Sequence, residues 1–340
     1  MISADGALYI GGGFATIGQL SAQGVAKWDG DAWSVLGNGP GGITRALAWW
    51  DDGTGPTLYA GGSFSQRLKR WDGATWTAVG GGCTGAVAAL AVFDDGAGPA
   101  LYAGGYFGNC GGAGSKIATW DGQAWSPLGI GITDSAGNVK ALAAFDDGSG
   151  PALYVGGSFT EVDGLPIINL ARWNGKAWSA VGDPGLILQQ PIEALRVLDE
   201  DGPDPSPPAL FAIGGSIIQK WDGKVWKRYQ PQPGGLFAAE VFPGQYGQPT
   251  LHVGGEIALD VGNPPQTLRV NIARWDGPAP GFGCGDFDGD GLVTQADLGI
   301  LLAAFDNCPG PGCPGDANGD GVVDQQDLGI LLAHFGQECG

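Results

Sequence analysis

Along most of this chain apolar residues recur in short alternating runs separated by glycine-rich turns. The clearest copy spans Ala152–Gly182. There Leu153-Tyr154-Val155 runs into Gly156-Gly157 and a variable loop follows. Two further runs, Leu170-Ala171-Arg172-Trp173 and Ala177-Trp178-Ser179-Ala180-Val181, then flank Asn174-Gly175. Asp-Gly or Asn-Gly between two such runs predicts a hairpin with a type I′ turn, whose two central residues both need positive φ. The phrase returns at Trp28-Asp29-Gly30, Trp71-Asp72-Gly73, Trp120-Asp121-Gly122 and Trp221-Asp222-Gly223, each followed by a second Trp at 33, 76, 125 or 226. A sixth copy, Trp275-Asp276-Gly277, lacks the second Trp.

The six marks fall 43 to 54 residues apart. Self-similarity at this period with four short strands per unit predicts a β-propeller. Strand a is Val139–Phe145, the turn Asp146-Asp147-Gly148-Ser149-Gly150-Pro151 leads to strand b at Ala152–Val155, and strands c and d form the Trp hairpin. The turn recurs at Asp51–Pro56 and Asp94–Pro99, and loosens at Asp199–Gly202. A sheet apolar on both faces buries itself only by stacking on its neighbours around an axis. The small residues Ala46, Ala48, Ala89, Ala91, Ala141 and Ala143 suit the crowded centre. The tryptophans suit the wider rim, each filling about 150–250 Å². Six blades are visible. The first lacks most of strand a and the sixth lacks strand d, so either two thin blades close the ring or upstream residues complete seven. Met1 accordingly reads as a truncated start, and the lack of an export signal there says little about export.

The order of apolar strand, Tyr-x-Gly-Gly and Trp strand resembles kelch repeats. The resemblance rests on Leu58-Tyr59-Ala60-Gly61-Gly62, Leu101-Tyr102-Ala103-Gly104-Gly105 and Leu153-Tyr154-Val155-Gly156-Gly157. Phrases such as Gly156-Gly157-Ser158-Phe159 and Ile272-Ala273-Arg274-Trp275-Asp276-Gly277 look more like the extracellular kelch-like propellers of bacteria. The resemblance implies a fold for about four-fifths of the chain and no activity.

Composition narrows the function classes. The 340 residues hold a large domain and a small one. The 66 glycines follow no three-residue period, which excludes collagen. A net charge of −19 argues against nucleic-acid binding, and no apolar run reaches the roughly 20 residues of a membrane span. The six cysteines fit disulfides in an oxidising compartment, with reduced thiols as the alternative. Metal tetrads fit poorly, because no C-x2-C pair exists and the only histidines are His252 and His334.

The last sixty residues change character. Every Lys and Arg lies before residue 277. The sequence thus divides into a propeller over 1–277, a linker over 278–283 and a small domain over 284–340. In that domain Asp286–Leu302 and Asp316–Leu332 align, each reading D-x-[DN]-x-D-G-x5-D and then an amphipathic helix. This is the logic of a calcium loop, with oxygens at positions 1, 3, 5, 7, 9 and 12 and a glycine at 6 for the sharp turn. One ion falls to Asp286, Asp288, Asp290, the Leu292 carbonyl, Thr294 (directly or through water) and Asp297. A second ion falls to Asp316, Asn318, Asp320, the Val322 carbonyl, Asp324 and Asp327. So many carboxylates without a cation would repel one another. The alternative is a pair of solvated acidic turns. Leu298, Leu301, Leu302 and Leu328, Leu331, Leu332 read as mutual core rather than interface.

Asp at position 12 and prolines before each loop exclude full EF-hands. A loop followed by one helix, twice, resembles the type I dockerin over about 284–339, a small all-α domain. That resemblance implies two Ca²⁺ ions and docking on a cohesin-like domain of a scaffold or surface protein. The recognition positions fall on Gln295, Ala296, Gln325 and Gln326, where dockerins commonly carry Ser or Thr. The module's pseudo-twofold implies disulfides Cys284–Cys339 and Cys308–Cys313, with pairing inside each repeat as the alternative.

Enzyme chemistry finds little support. Glycoside hydrolysis needs two carboxylates facing one pocket, whereas the Asp-Asp pairs recur at one structural turn, and Glu161 and Asp163 are single candidates. Copper chemistry needs more histidines than the chain has, and no nucleophile elbow or phosphate loop is present. The sequence therefore reads as a secreted or cell-surface binding and assembly protein. On this reading the propeller takes a glycan or protein ligand and the calcium tail tethers it. The alternatives are a carbohydrate-active glycoside hydrolase or lyase of polysaccharide catabolism, and a purely structural surface protein.

Overall fold

The computed structural model describes residues 1–182, 190–199, 208–215, 217–229, 234–243, 249–261, 266–275, 287, 293–305, 315 and 323–335. The chain divides into two compact units, Met1–Arg274 and Trp275–Gly340. Repeated four-stranded antiparallel sheets make up the first unit. Sheet 1 runs Ile2–Ala4, Ala7–Gly11, Val25–Trp28, Trp33–Val35. Sheet 2 runs Ile43–Asp51, Pro56–Ser63, Leu68–Trp71, Trp76–Ala78. Sheet 3 runs Val87–Asp94, Pro99–Gly105, Ile117–Trp120, Trp125–Pro127. Sheet 4 runs Asn138–Asp146, Pro151–Ser158, Leu170–Trp173, Trp178–Ala180. Sheet 5 runs Ala194–Leu198, Ala209–Gly214, Ile217–Trp221, Trp226–Tyr229. Sheet 6 has three strands among the described residues, Gly234–Pro243, Pro249–Val261 and Gln266–Trp275.

The sheets are propeller-like. The first strand of each packs on the first strand of the next, the Met1 amine lies 3.9 Å from Glu240 of sheet 6, and first strands of sheets 2 to 6 line one central cavity. Second strands carry no alternation because both faces are covered: Leu58, Tyr59 and Ala60 are fully buried, as are Ala152 through Val155. The apolar clusters sit between sheets. Tyr59, Val87, Leu101 and Phe107 join sheets 2 and 3, and Tyr102, Val139, Leu142 and Leu153 join sheets 3 and 4. Ala46, Ala89 and Ala141 line the central cavity. Ala48, Ala91 and Ala143, two residues further along the same strand faces, lie past the cavity and pack into the clusters between sheets, to which Ala89 and Ala141 also belong.

Both glycines of the Tyr-x-Gly-Gly phrase have a steric reason. A Cβ on the first would meet the β-branched residue opening the next sheet: 2.5 Å from Val87 Cγ1 at Gly61, 2.4 Å from Val139 Cγ1 at Gly104 and 2.7 Å from Ile192 Cγ2 at Gly156. A Cβ on the second would strike a carbonyl of its own first strand, 2.2 Å from Ala86 O at Gly105 and 2.1 Å from Asn138 O at Gly157.

Tryptophans latch one sheet to the one before it. The pairs Trp28–Trp33, Trp71–Trp76, Trp120–Trp125, Trp173–Trp178 and Trp221–Trp226 face one another across strands c and d, with tilted rings 5.1–5.5 Å apart. In three of these pairs the second indole then donates to a carbonyl just past the preceding sheet: Trp76 to Leu36 at 3.0 Å, Trp178 to Leu128 at 3.0 Å and Trp226 to Val181 at 3.2 Å. The hairpin between the two tryptophans is not the expected type I′ turn. Trp28 pairs with Trp33 around four residues, and Gly30 alone of Asp29-Gly30 has positive φ. The Asp29 carboxylate accepts from the amides of Asp31 and Ala32 at 3.0 and 2.9 Å, closing the loop itself. Asn174 does the same for Lys176 and Ala177.

The Asp-Asp-Gly turn is equally structural. Asp146 accepts from Gly148 and Gly150 amides, and Asp147 accepts from the Tyr154 hydroxyl at 2.7 Å and the Trp221 indole of sheet 5 at 3.2 Å. Asp52 likewise takes Tyr59 at 2.8 Å together with Arg70, and Asp95 takes Tyr102 at 3.1 Å. Burial pushes the Asp147 carboxyl up, but hydrogen bonds from Ser149, Tyr154 and Trp221 outweigh it and hold the group down to about 2. Burial, and then the neighbouring aspartate, raises the phenols of Tyr59 and Tyr154.

Two expectations follow. Gly104→Ala forces a Cβ against Val139 and lowers the urea-unfolding stability by about 1–3 kcal/mol. Val139→Ala in the same chain recovers part of that loss, and no recovery would refute the close-approach explanation. A carboxylate held low adds stability above its unfolded value near 4 and gives it up as pH falls towards about 2. A phenol held high adds stability below about pH 10 and loses it as pH rises further. Melting temperature should therefore decline on both flanks, and Asp147→Asn should flatten the acid one. Since Asp147 is only half-buried, its share is at most about 1 kcal/mol after solvent screening.

Candidate functional site

The recurring positions are thus occupied by structure, and chemistry gathers where first strands begin. Register slips there by one residue, between Thr44 and Ala46, Val87 and Ala89, Val139 and Ala141, and Leu236 and Ala238. Each is a β-bulge, and the extra residue is re-aimed. The bulged residues Arg45, Ala88, Lys140 and Phe237 all line the central cavity of about 380 Å³. Glu193, Arg196, Glu240 and His252 complete its polar lining.

Its charges are mostly matched. Lys140 pairs with Glu193. Arg196 grips Glu240 with two nitrogens, at 3.2 and 3.0 Å. Arg45 donates from Nε to Ser63 Oγ at 3.1 Å. The mouth therefore holds three side-chain cations against two carboxylates, in a chain of net charge −19. A bulge position leaves only a faint sequence signal, a cation set into an otherwise apolar strand, as in Thr44-Arg45-Ala46 and Val139-Lys140-Ala141.

Loops at the same end of the strands are stapled. Cys83 and Cys110 form a disulfide, joining the approach to sheet 3 to the loop between its second and third strands. Sheet 4 has an apolar contact at the same place, where Ile132 bridges Val162 and both are buried. The two acidic loop candidates serve this end too. Glu161 accepts from the Thr133 hydroxyl, and Asp163 accepts from the Ile130 amide at 2.6 Å.

Among the described residues of the second unit are two helices, α1 (Gln295–Ala304) and α2 (Gln325–His334). Thr294 and Asp324 are their N-caps, accepting from the amides of Ala296 and Gln326, and each helix opens with a capping box closed by Asp297 or Asp327. Both of these aspartates are fully buried. Asp297 accepts from the Phe287 amide at 2.6 Å and the Thr294 amide at 2.7 Å, and Asp327 accepts from the Asp324 amide at 2.8 Å. No Lys or Arg exists after Arg274. Charge compensation for these carboxylates must come from polar hydrogens or from a bound cation. The donor set therefore fits a hard divalent ion.

Asp286, Asp288, Asp290, Leu292, Asp316, Asn318, Asp320 and Val322 lie outside the described residues, as do Cys284, Cys308, Cys313 and Cys339. Among the described residues no three His, Cys, Asp or Glu side chains gather.

Val293, Leu301, Val323 and Leu331 form the buried core of this unit, with Leu298 and Leu328 packed against it. Leu302 and Leu332, expected in that core, are 55% and 56% exposed. They stand seven residues after the exposed Gln295 and Gln325, on the same helix faces. Ala296 and Gln326 are exposed beside them. Among the described residues no helix is long and apolar enough to cross a membrane.

No family model matches the chain, and no curated protein matches it. Some solved structures show a partial likeness to it. One is the extracellular domain of a protein assigned to a one-component system of B. thetaiotaomicron, with TM-score 0.46 and 11% identity over 75% of this chain and 31% of that one. Another is the extracellular domain assigned to a hybrid two-component system of the same organism, with TM-score 0.48 and 13% identity over the same shares. A third is a protein described as a 6-phosphogluconolactonase from Bacteroides fragilis, with TM-score 0.40 and 12% identity over 79% of this chain and 82% of that one. This chain spans under a third of the length of the first two.

Proposed function

We propose that this is an extracellular binding and assembly protein. A kelch-like ring of six blades over 1–277 presents a ligand-binding surface. A joint over 278–283 leads to a dockerin-like tail over 284–340 that binds two calcium ions and docks on a cohesin-type partner. The observation that carries the reading is the pair of fully buried aspartates, Asp297 and Asp327, at position 12 of two acidic loops in a unit without a single Lys or Arg. Asp286, Asp288, Asp290, Leu292, Thr294 and Asp297 would hold one ion, and Asp316, Asn318, Asp320, Val322, Asp324 and Asp327 the other. Bound calcium supplies the positive charge that lets such loops fold. Thr294, Asp297, Asp324 and Asp327 meanwhile cap the helices and hold the first turns in place.

Docking falls to the face that the helices leave open, with Gln295, Ala296 and Leu302 on one and Gln325, Gln326 and Leu332 on the other. The internal relation between the repeats supports this, since an exposed leucine at the same position of both helices is not needed for the core. An extracellular setting agrees with the Cys83–Cys110 disulfide, a bond that persists in oxidising compartments.

Calorimetry of the full chain should register two calcium ions. Asp297→Asn and Asp327→Asn should each remove one, and chelator should lower helical circular dichroism while leaving the ring's tryptophan spectrum in place. A chain that takes up no calcium would end the proposal for the tail. With calcium present, capture by an immobilised cohesin panel should be abolished by Leu302→Asp combined with Leu332→Asp. Capture that survives both changes would remove the assigned docking face.

A further inference from the structure

Three consecutive junctions between sheets follow one rule. The glycine of the Trp hairpin in sheets 3, 4 and 5 abuts the turn between strands a and b of the preceding sheet. A Cβ on Gly122 would lie 3.0 Å from Asp52 O, on Gly175 2.6 Å from Asp95 O, and on Gly223 2.3 Å from Asp147 O. Gly73 of sheet 2, at the same place, has nothing within 4 Å. The cause lies in sheet 1. Its turn is the pair Asp5-Gly6, since Ala4 pairs with Ala7, whereas four residues, Asp147 to Gly150, separate the paired Asp146 and Pro151 of sheet 4. The shorter turn falls short of the hairpin, and a groove of about 460 Å³ remains between sheets 1 and 2.

This groove has a lining that the corresponding positions of sheets 3 and 4 lack. Trp49, paired with Leu58, occupies the position held by Val92 opposite Leu101 and by Ala144 opposite Leu153. It is half-buried, 5.6 Å from the Tyr9 ring, and the half-buried Trp71 lines the same groove. The charged side chains around the indoles all have partners. Lys27 meets Asp5 at 3.1 Å, Arg70 meets Asp52, and Asp72 accepts amides of its own loop. Hydroxyls of Ser34 and Thr54 complete the rim.

We infer that the groove between sheets 1 and 2 is a binding site for a neutral oligosaccharide. Indole faces suit the apolar C–H faces of a sugar ring. Carboxylates, cations and hydroxyls already fixed by one another suit its hydroxyls without a large ordering cost. The lining itself sets Asp5 and Asp72 against Lys27 and Arg70, and the further carboxylate of Asp52 behind Arg70 leaves no surplus of positive charge, which favours a neutral ligand over an anionic one. The volume lies within the range of small-ligand sites, about 300–1,000 Å³. The inference rests on the reading of the ring as a binding module and gives that reading a site and a ligand class. It does not depend on the tail.

The test uses the full chain in chelator, so that the tail's behaviour cannot affect the result. Cellotetraose, xylotetraose and mannotetraose are titrated by calorimetry and tryptophan fluorescence, with tetragalacturonate as the charged control. At least one neutral tetrasaccharide should bind. Trp49→Val, which installs the residue type sheet 3 carries at this position, should weaken it by about tenfold or more at unchanged melting temperature. Grafting the turn Asp147–Gly150 in place of Asp5-Gly6 should close the groove and abolish binding. Unchanged affinity in Trp49→Val would overturn the site while leaving the ring a saccharide binder. Binding of tetragalacturonate alone, or of none of the four, would overturn the ligand class.

Discussion

The ring depends on how closely the second strand of one sheet can approach the first strand of the next. Gly61, Gly104 and Gly156 stand where any side chain would occupy the space of Val87, Val139 and Ile192. Because that space is free, each sheet lays a fully apolar face on its neighbour, and Tyr59, Tyr102 and Tyr154 are buried between sheets. The tryptophan latches close the outer edge of the same junctions, and the Asp–Tyr pairs close the end where strands a and b turn. A buried phenol that hydrogen-bonds an aspartate costs little and fixes the turn, so one motif satisfies both packing and polar pairing.

Repetition of this kind uses up the residues that look most chemical. The paired aspartates, the hairpin aspartates and most of the tryptophans hold the sheets together. Binding chemistry is left to the places where the repeat departs from itself. Arg45 and Lys140 sit at bulges that turn them into the central cavity, and the short turn of sheet 1 leaves Trp49 beside an open groove. In both cases the scaffold is rigid because neighbouring copies of the repeat support it, so a local change creates a recess without loosening the ring.

The tail obeys a different balance. It has no lysine or arginine of its own, its described residues bury four aliphatic side chains fully, and a domain of this length has little apolar area to set against chain entropy. Burying Asp297 and Asp327 there makes sense only if their charge is put to use. The helix caps already employ one part of each carboxylate, and the proposed ions employ the rest.

The sequence alone determined the period of the repeat, the four strands of its complete units, the structural role of the Asp-Asp-Gly turns and the two helices of the tail. These are local matters of alternation, turn chemistry and capping, and each leaves its mark within ten residues of chain. It misjudged the Trp hairpin, because Asp29 and Asn174 close a four-residue loop with side-chain hydrogen bonds that mimic the signature of a type I′ turn. It also placed Leu302 and Leu332 in a core whose size only packing could limit. Tertiary structure alone decided the bulges that aim Arg45 and Lys140 inward, the Cys83–Cys110 pairing and the gap between sheets 1 and 2. Those features arise from register and from contacts between residues tens of positions apart, and no local pattern encodes a distance across the ring.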